Sequence, residues 1–128
     1  MFILYKTVGR GTLALNAAKV GETIEVIGPL GHGFPVKCDG AALLVGGGYG
    51  VAPLYFLAKR LIASGWKGRL AVFIGGRTKD DLLSIDEFKS LGVELYLATN
   101  DGSEGVKGLV TDPLDDELIK IREAGGKF

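Results

Sequence analysis

Residues 43–53, LLVGGGYGVAP, bring an apolar run to an end in four glycines, one tyrosine and, three residues after the last glycine, Pro53. A loop that leaves a parallel strand and enters a helix presents unpaired backbone N–H groups at a positive dipole end, which suits a phosphate. Glycine is needed in such a loop because a Cβ would block the phosphate or forbid a positive φ. Phosphate binding of the kind a nucleotide needs, at the Gly46–Gly50 turn, is the chemistry these residues could do. Pro53 fits the first turn of the helix that follows, where its missing N–H costs no hydrogen bond.

The usual fingerprints do not fit. A phosphate loop of the Walker type places Lys-Ser or Lys-Thr after its last glycine, and here Val51-Ala52 stands there. The G-x-G-x-x-G pattern fails in both registers, since Gly46-x-Gly48 reaches Val51 and Gly48-x-Gly50 reaches Pro53. No acid closes the second apolar run; Gly75-Gly76-Arg77-Thr78 does. A tight strand-to-helix turn without a ligand therefore stays open as an alternative.

Other residues offer less. No acid–base or nucleophilic pair stands out. His32, between two glycines, reads as a loop residue. Cys38 has no Cys or His at metal spacing and reads as a small linker residue. With one cysteine, this chain has neither an internal disulfide nor an all-cysteine metal site. Fifteen basic residues balance fifteen acidic ones, so there is no electrostatic reason to expect nucleic acid or an anionic membrane as partner. The opening MFILYK is too short an apolar stretch for a signal-peptide core or a bilayer span. The expected compartment is the cytoplasm.

These residues need elements to hold them. Residues 2–8 and 23–27 are rich in β-branched and aromatic side chains and predict strands, with Gly9-Arg10-Gly11-Thr12 as a turn after the first. From residue 41 the pattern alternates: strands at 41–45, 70–74 and 94–98, helices at about 51–64, 84–91 and 113–124. The runs ALLV and LAVFI are almost continuously apolar, as parallel strands covered on both faces are. Leu54, Leu57, Ala58, Leu61 and Ile62 predict one buried stripe on the first of these helices. Ser84 with Glu87 predicts a capping box, and Asp112-Pro113 an N-cap followed by N1. The spacing thus predicts an α/β domain with a three-stranded parallel sheet over 39–128, strand 41–45 at its edge, after a β-rich segment over 1–38. The boundary falls near 36–40.

Five ordered motifs carry a resemblance: VGRGT, IGPLGHGF, LLVGGGYGVAPL, GGRTKDDLL and ATNDGSEGVKGLVTD. Together they resemble ferredoxin–NADP reductase-like flavoproteins, and among them the electron-transfer subunits of NAD-linked dihydroorotate dehydrogenases. The resemblance implies a flavin-binding β-barrel followed by an NAD-binding α/β domain, with FAD and NAD as cofactors and a [2Fe–2S] cluster on a cysteine-rich tail. It implies electron transfer from dihydroorotate, oxidised in a catalytic partner subunit, through cluster and FAD to NAD in pyrimidine biosynthesis. By position, Gly9, Gly11 and Thr12 would lie near the FAD diphosphate, and Gly47, Gly48, Tyr49, Gly50 and Pro53 near the NAD diphosphate and nicotinamide. Arg77 would meet the adenosine end, with Asp101 and Gly102 at the same sheet edge.

Three parts of that pattern are missing from this chain: the Arg-x-Tyr/Pro-Ser flavin motif, the Cys-Gly-Pro-type motif of a further strand, and the four cluster cysteines. The chain therefore reads as a middle piece of such a subunit. Alternatives are the NADPH-linked small subunit that serves glutamate synthase or ferredoxin, and a non-catalytic dinucleotide-binding module. The unpaired edge of strand 41–45 predicts self-association. NAD against NADP is left open, because Arg77 and Lys79 could grip a 2′-phosphate.

Overall fold

The computed structural model describes residues 3–36 and 40–126. Contacts divide the chain into two compact units, 1–34 and 35–128. Cys38, and most of the boundary expected at 36–40, lie outside the described residues.

In the first unit the expected strands do not form. Residues 3–8 and 23–27 make no ladder, and Ile24, Val26 and Ile27 remain exposed. High β-propensity describes fitness for a pleated, half-buried surface, and without a partner it builds nothing. Among the described residues of this unit the one regular element is helix α1, Arg10–Ala17, where a turn was expected. Its start is fixed by Thr12, whose Oγ1 accepts the N–H groups of Val8 (2.9 Å) and Gly9 (3.1 Å).

The second unit follows the sequence closely. Strand β1 spans Ala42–Gly47, helix α2 Val51–Ala63, β2 Leu70–Gly76, α3 Ile85–Ser90, β3 Glu94–Thr99, β4 Val106–Lys107 and α4 Thr111–Glu123. Single 3-10 turns cover Gly48–Gly50 and Lys79–Asp81. The sheet is parallel throughout, in the order β1-β2-β3-β4. It thus has four strands where three were expected, with β1 at the predicted edge. The addition is two residues long, too short for any periodicity. It reaches β3 because Gly105, at φ +68°, lets the chain pass where a Cβ would collide with the Leu97 carbonyl.

Ala71, Val72, Phe73 and Ile74 are wholly buried, as the continuous apolar run of β2 requires. β1 is covered less completely: Leu44 is buried while Val45 is 39% exposed. On α2 the stripe is Val51, Leu54, Leu57, Ala58 and Leu61, and Ile62 turns outward. Gly65 closes α2, with Trp66 N–H on the Leu61 carbonyl and Gly65 N–H on that of Ile62. Phe88 of α3 is fully buried and meets Tyr55 edge-on, ring centroids 5.5 Å apart.

Two capping expectations need correcting. Ser84 precedes α3 in the left-handed region (φ 60°) and makes no side-chain cap, so no capping box forms with Glu87. Asp112 lies inside the first turn of α4, and its Oδ2 still accepts the Leu109 N–H at 2.9 Å. Among the described residues, no helix is long and apolar enough to cross a membrane.

Helix α4 is tied to the sheet by charge. Glu117 is 1% exposed; its carboxylate accepts from Arg69 Nη1 and lies 3.4 Å from the Tyr96 hydroxyl. Arg69 also donates to Glu94, through Nε at 3.0 Å, and through Nη2 to Tyr96 at 3.1 Å. The Arg69 hydrogen bond holds the Glu94 carboxyl below its usual range. Tyr96 in turn stacks on the buried Phe73, ring centroids 4.6 Å apart.

Breaking a buried ion pair from one side leaves an uncompensated charge. Arg69→Met should therefore lower unfolding free energy by about 3 kcal/mol, the low end for such losses because Arg69 is partly exposed. The double variant Arg69→Met/Glu117→Met should recover part of it. Urea denaturation followed by Trp66 fluorescence measures both, and equal stability of the two variants would contradict the clamp.

Candidate nucleotide-binding cleft

All four strands end on the same side of the sheet. Register sets Gly47 beside Gly75, and Gly76 beside Thr99. Beyond these ends lies a cleft of about 370 Å³. Gly47 and Gly48 form one wall, Gly75, Gly76 and Arg77 the next, with Asp81, Asn100, Leu109 and Val110 completing it. In an open α/β sheet, ligands collect at the carboxyl ends of the strands.

The β1–α2 turn has the geometry expected of a phosphate loop. Gly48 adopts φ +51°, and the position of a Cβ there has no heavy atom within 4 Å. A glycine used only for packing would be crowded; this one opens backbone toward free space. Val51 begins α2 directly after the 3-10 turn, its N–H bonded to the carbonyls of Gly48 and Tyr49, and the positive end of the helix dipole faces the turn. Gly50 has an ordinary φ of −63° and equally open space at its Cβ position. Tyr49 is 45% exposed, and Pro53 lies in the first turn of α2 on its exposed side. These features fit a diphosphate carried on backbone amides.

At the second strand end, Arg77 is 84% exposed and its Nε donates to Asp81 Oδ2 at 3.3 Å. The same oxygen accepts the Thr78 N–H. The Arg77 hydrogen bond holds the Asp81 carboxyl below the usual aspartate range, so Asp81 is ionised at neutral pH.

Beyond β3, the Asp101 carboxylate accepts the backbone N–H of Ser103 (2.9 Å) and its hydroxyl (2.6 Å). That hydroxyl also accepts the Lys79 N–H at 2.8 Å. The Ser103 hydroxyl holds the Asp101 carboxyl below its usual range. Buried Thr99 exchanges hydrogen bonds with the Glu104 backbone. Asp101 and Gly102 thus shape the loop behind the cleft, while Asn100 lines it.

Of the residues singled out by sequence, the cleft wall joins Gly47, Gly48 and Arg77. Tyr49, Gly50 and Pro53 lie along the adjoining turn and helix start. Gly9, Gly11 and Thr12 belong to the other unit, at the start of α1, where the Thr12 hydroxyl is already occupied by Val8 and Gly9. Sequence reading missed Asp81, Asn100, Leu109 and Val110. Only Asn100 carried a signal, lying two residues past the predicted strand 94–98 and directly after the observed β3. A second hollow of about 410 Å³, between the Lys79–Asp81 turn and α3, is lined by charges of both signs, among them Asp86 and Lys89.

Residues 44–126 match the family model of the oxidoreductase NAD-binding domain. The chain belongs to that family. Among curated proteins it is similar to the electron transfer subunit of dihydroorotate dehydrogenase B (NAD(+)) from Bacillus cereus strain G9842. Identity is 49% over 117 residues, covering 89% of this chain and 44% of that protein. The subunit of the same name from Bacillus anthracis strain CDC 684 is 48% identical over 116 residues, covering 88% and 44%. A solved chain of an NADH-dependent reduced ferredoxin–NADP oxidoreductase, described in connection with flavin-based electron bifurcation, is 41% identical. It superposes with a TM-score of 0.74 over 89% of this chain and 41% of its own. The chain spans less than half the length of the relatives it matches. The expected ferredoxin reductase-like NAD-binding fold is thereby established.

Gly50→Ala separates binding from folding. Its ordinary backbone angles admit alanine, so unfolding free energy should stay within about 1 kcal/mol of the parent. A methyl group in the phosphate approach should still weaken NADH binding about tenfold, the equivalent of one hydrogen bond. Fluorescence titration gives the affinity, and an unchanged value would remove Gly50 from the site.

Proposed function

We propose that this chain is the NAD(H)-binding portion of a flavoprotein electron-transfer subunit, and that the whole protein passes electrons from dihydroorotate oxidation, through an iron–sulfur cluster and FAD, to NAD in pyrimidine biosynthesis. The observation that carries this is the cleft at the strand ends, formed within the stretch that matches the NAD-binding family. The names of the similar full-length proteins support the wider role.

Within that role the residues have separable tasks. Backbone amides of the Gly47–Gly50 turn, at the positive end of the α2 dipole, hold a diphosphate without any charged side chain. Tyr49, half-exposed beside that turn, offers an aromatic face toward the nicotinamide end. Arg77 and Asp81 border the part of the cleft farther along the sheet, suited to the adenosine end. Bound nicotinamide supplies the hydride-accepting carbon, and the protein contributes position and electrostatics. No side chain need act as acid or base in hydride transfer.

Gly9, Gly11 and Thr12 are the residues proposed to approach the FAD diphosphate. Two of the N–H groups near them already bond the Thr12 hydroxyl, which leaves few donors. The chain by itself should therefore bind NADH with a micromolar-range dissociation constant yet purify without stoichiometric flavin. Calorimetry and a visible absorption spectrum test these together. Absent NADH binding by folded protein would remove the nucleotide reading, and one FAD per chain would show that residues 3–34 suffice for the flavin.

The edge of β1 supports one more property. Among the described residues no strand pairs with its outer side, and Val45 there is partly exposed. Such an edge templates pairing with a second copy of the chain. Sedimentation at micromolar concentration should show a dimer that Val45→Lys returns to monomer; a monomeric parent would contradict this.

A further inference from the structure

The loops that follow β2 and β3 are laced together beyond the ends of their strands. The Asn100 N–H donates to the Gly76 carbonyl at 3.1 Å and the Asp101 N–H to the Arg77 carbonyl at 3.2 Å. There the backbone bonds between the two loops stop, and a side chain continues them. The Ser103 hydroxyl accepts the Lys79 N–H at 2.8 Å and donates to Asp101 Oδ1 at 2.6 Å. The same carboxylate oxygen accepts the Ser103 N–H at 2.9 Å, so the hydroxyl is held in one orientation. Among the described residues this is the one side-chain hydrogen bond that joins the two loops. The loop that carries Ser103 is itself anchored, because buried Thr99 exchanges hydrogen bonds of 2.7 and 3.1 Å with the Glu104 backbone.

Resting on the NAD(H) reading of the cleft, we propose that Ser103 is a positioning residue for the adenosine end of the dinucleotide: its hydroxyl, oriented by Asp101, fixes the Arg77–Asp81 segment before the ligand arrives. Lys79 opens the 3-10 turn that brings Asp81 to the cleft, and Arg77, another lining residue, lies two positions before it. Ser103 is not among the lining residues and acts only through the Lys79 peptide. Without the hydroxyl, the Lys79 N–H turns to water and the segment is free to sample other arrangements. Ordering it on binding then costs affinity that the parent does not lose. Ser103 and Lys79 are both exposed, while the core below them holds the strands. Loss of this one bond therefore loosens the cleft border and leaves the fold in place.

The test titrates NADH and ADP-ribose into the 128-residue chain and its variants by calorimetry. Ser103→Ala should weaken both ligands about five- to tenfold, the equivalent of one net hydrogen bond. Ser103→Thr, which keeps the hydroxyl, should stay within about twofold of the parent, less than one such bond. Asp101→Ala releases the hydroxyl and should weaken binding in the same direction. The double variant should be no weaker than Ser103→Ala alone, because one network is broken once. Relaxation of the backbone nitrogens at 78–81 should show more motion in free Ser103→Ala than in the parent, and saturating NADH should remove the difference. Circular dichroism checks that each variant folds, and Asp101→Ala carries the test in place of any Ser103→Ala that does not. Unchanged affinity in Ser103→Ala, equal weakening in Ser103→Thr, or fully additive losses in the double variant overturn the proposal while leaving the cleft a nucleotide site. Failure of the folded parent to bind NADH overturns the cleft reading and the proposal with it.

Discussion

The parallel register of β1, β2 and β3 is the constraint on which the site depends. It sets Gly47 level with Gly75 and Gly76 level with Thr99, so three separate loops leave the sheet at one height and enclose one cleft. Because side chains alternate faces along a strand, a slip of one residue would move every β2 side chain to the opposite face of a sheet that is packed on both sides there. The uninterrupted burial of Ala71 through Ile74 makes such a slip costly. Tight packing in the middle of the sheet thus fixes the geometry of loops that have little packing of their own.

The two ends of the sheet use polarity differently. At the amino ends, Arg69, Glu94, Tyr96 and Glu117 satisfy one another and bind α4 to the strands. Their charges are spent on structure. At the carboxyl ends the polar groups are mostly backbone amides, together with one aspartate and one arginine that remain accessible. The loop after β3 belongs with the structural group, since Asp101, Ser103 and Thr99 bond mainly within it. Its role toward the cleft is to place Asn100 and the chain leading to Leu109 and Val110.

Much of the second unit was legible in the sequence. Helix α2 and strand β2 are long enough for periodicity or unbroken apolarity to declare them, and glycines mark the turns between. Strand β4 was not legible, because two residues following a glycine-rich loop have no pattern. The Ser84 box failed because the chain enters α3 through a left-handed residue. In the first unit, FILYKTV and TIEVI read as strands by composition, but a strand needs a neighbour and the described residues provide none. The helix at Arg10–Ala17 did carry a signal, the run Leu13-Ala14-Leu15, whose residues favour helix; the glycines before it suggested a turn. In the cleft, Gly47, Gly48 and Arg77 could be found from their place after strands. Asp81 could not, since only the 3-10 turn brings it back to Gly76.

The central claim is that one nucleotide occupies the carboxyl-end cleft of this sheet, with its phosphates on the β1–α2 turn. Backbone amide chemical shifts of the isotope-labelled chain, recorded during titration with NAD(H), test it most directly. The account predicts the largest changes at residues 46–50, 75–77, 81 and 100, with residues 85–90 and the Arg69–Glu117 clamp little affected. Changes centred on the hollow beside α3, or scattered without focus across the sheet, would contradict it.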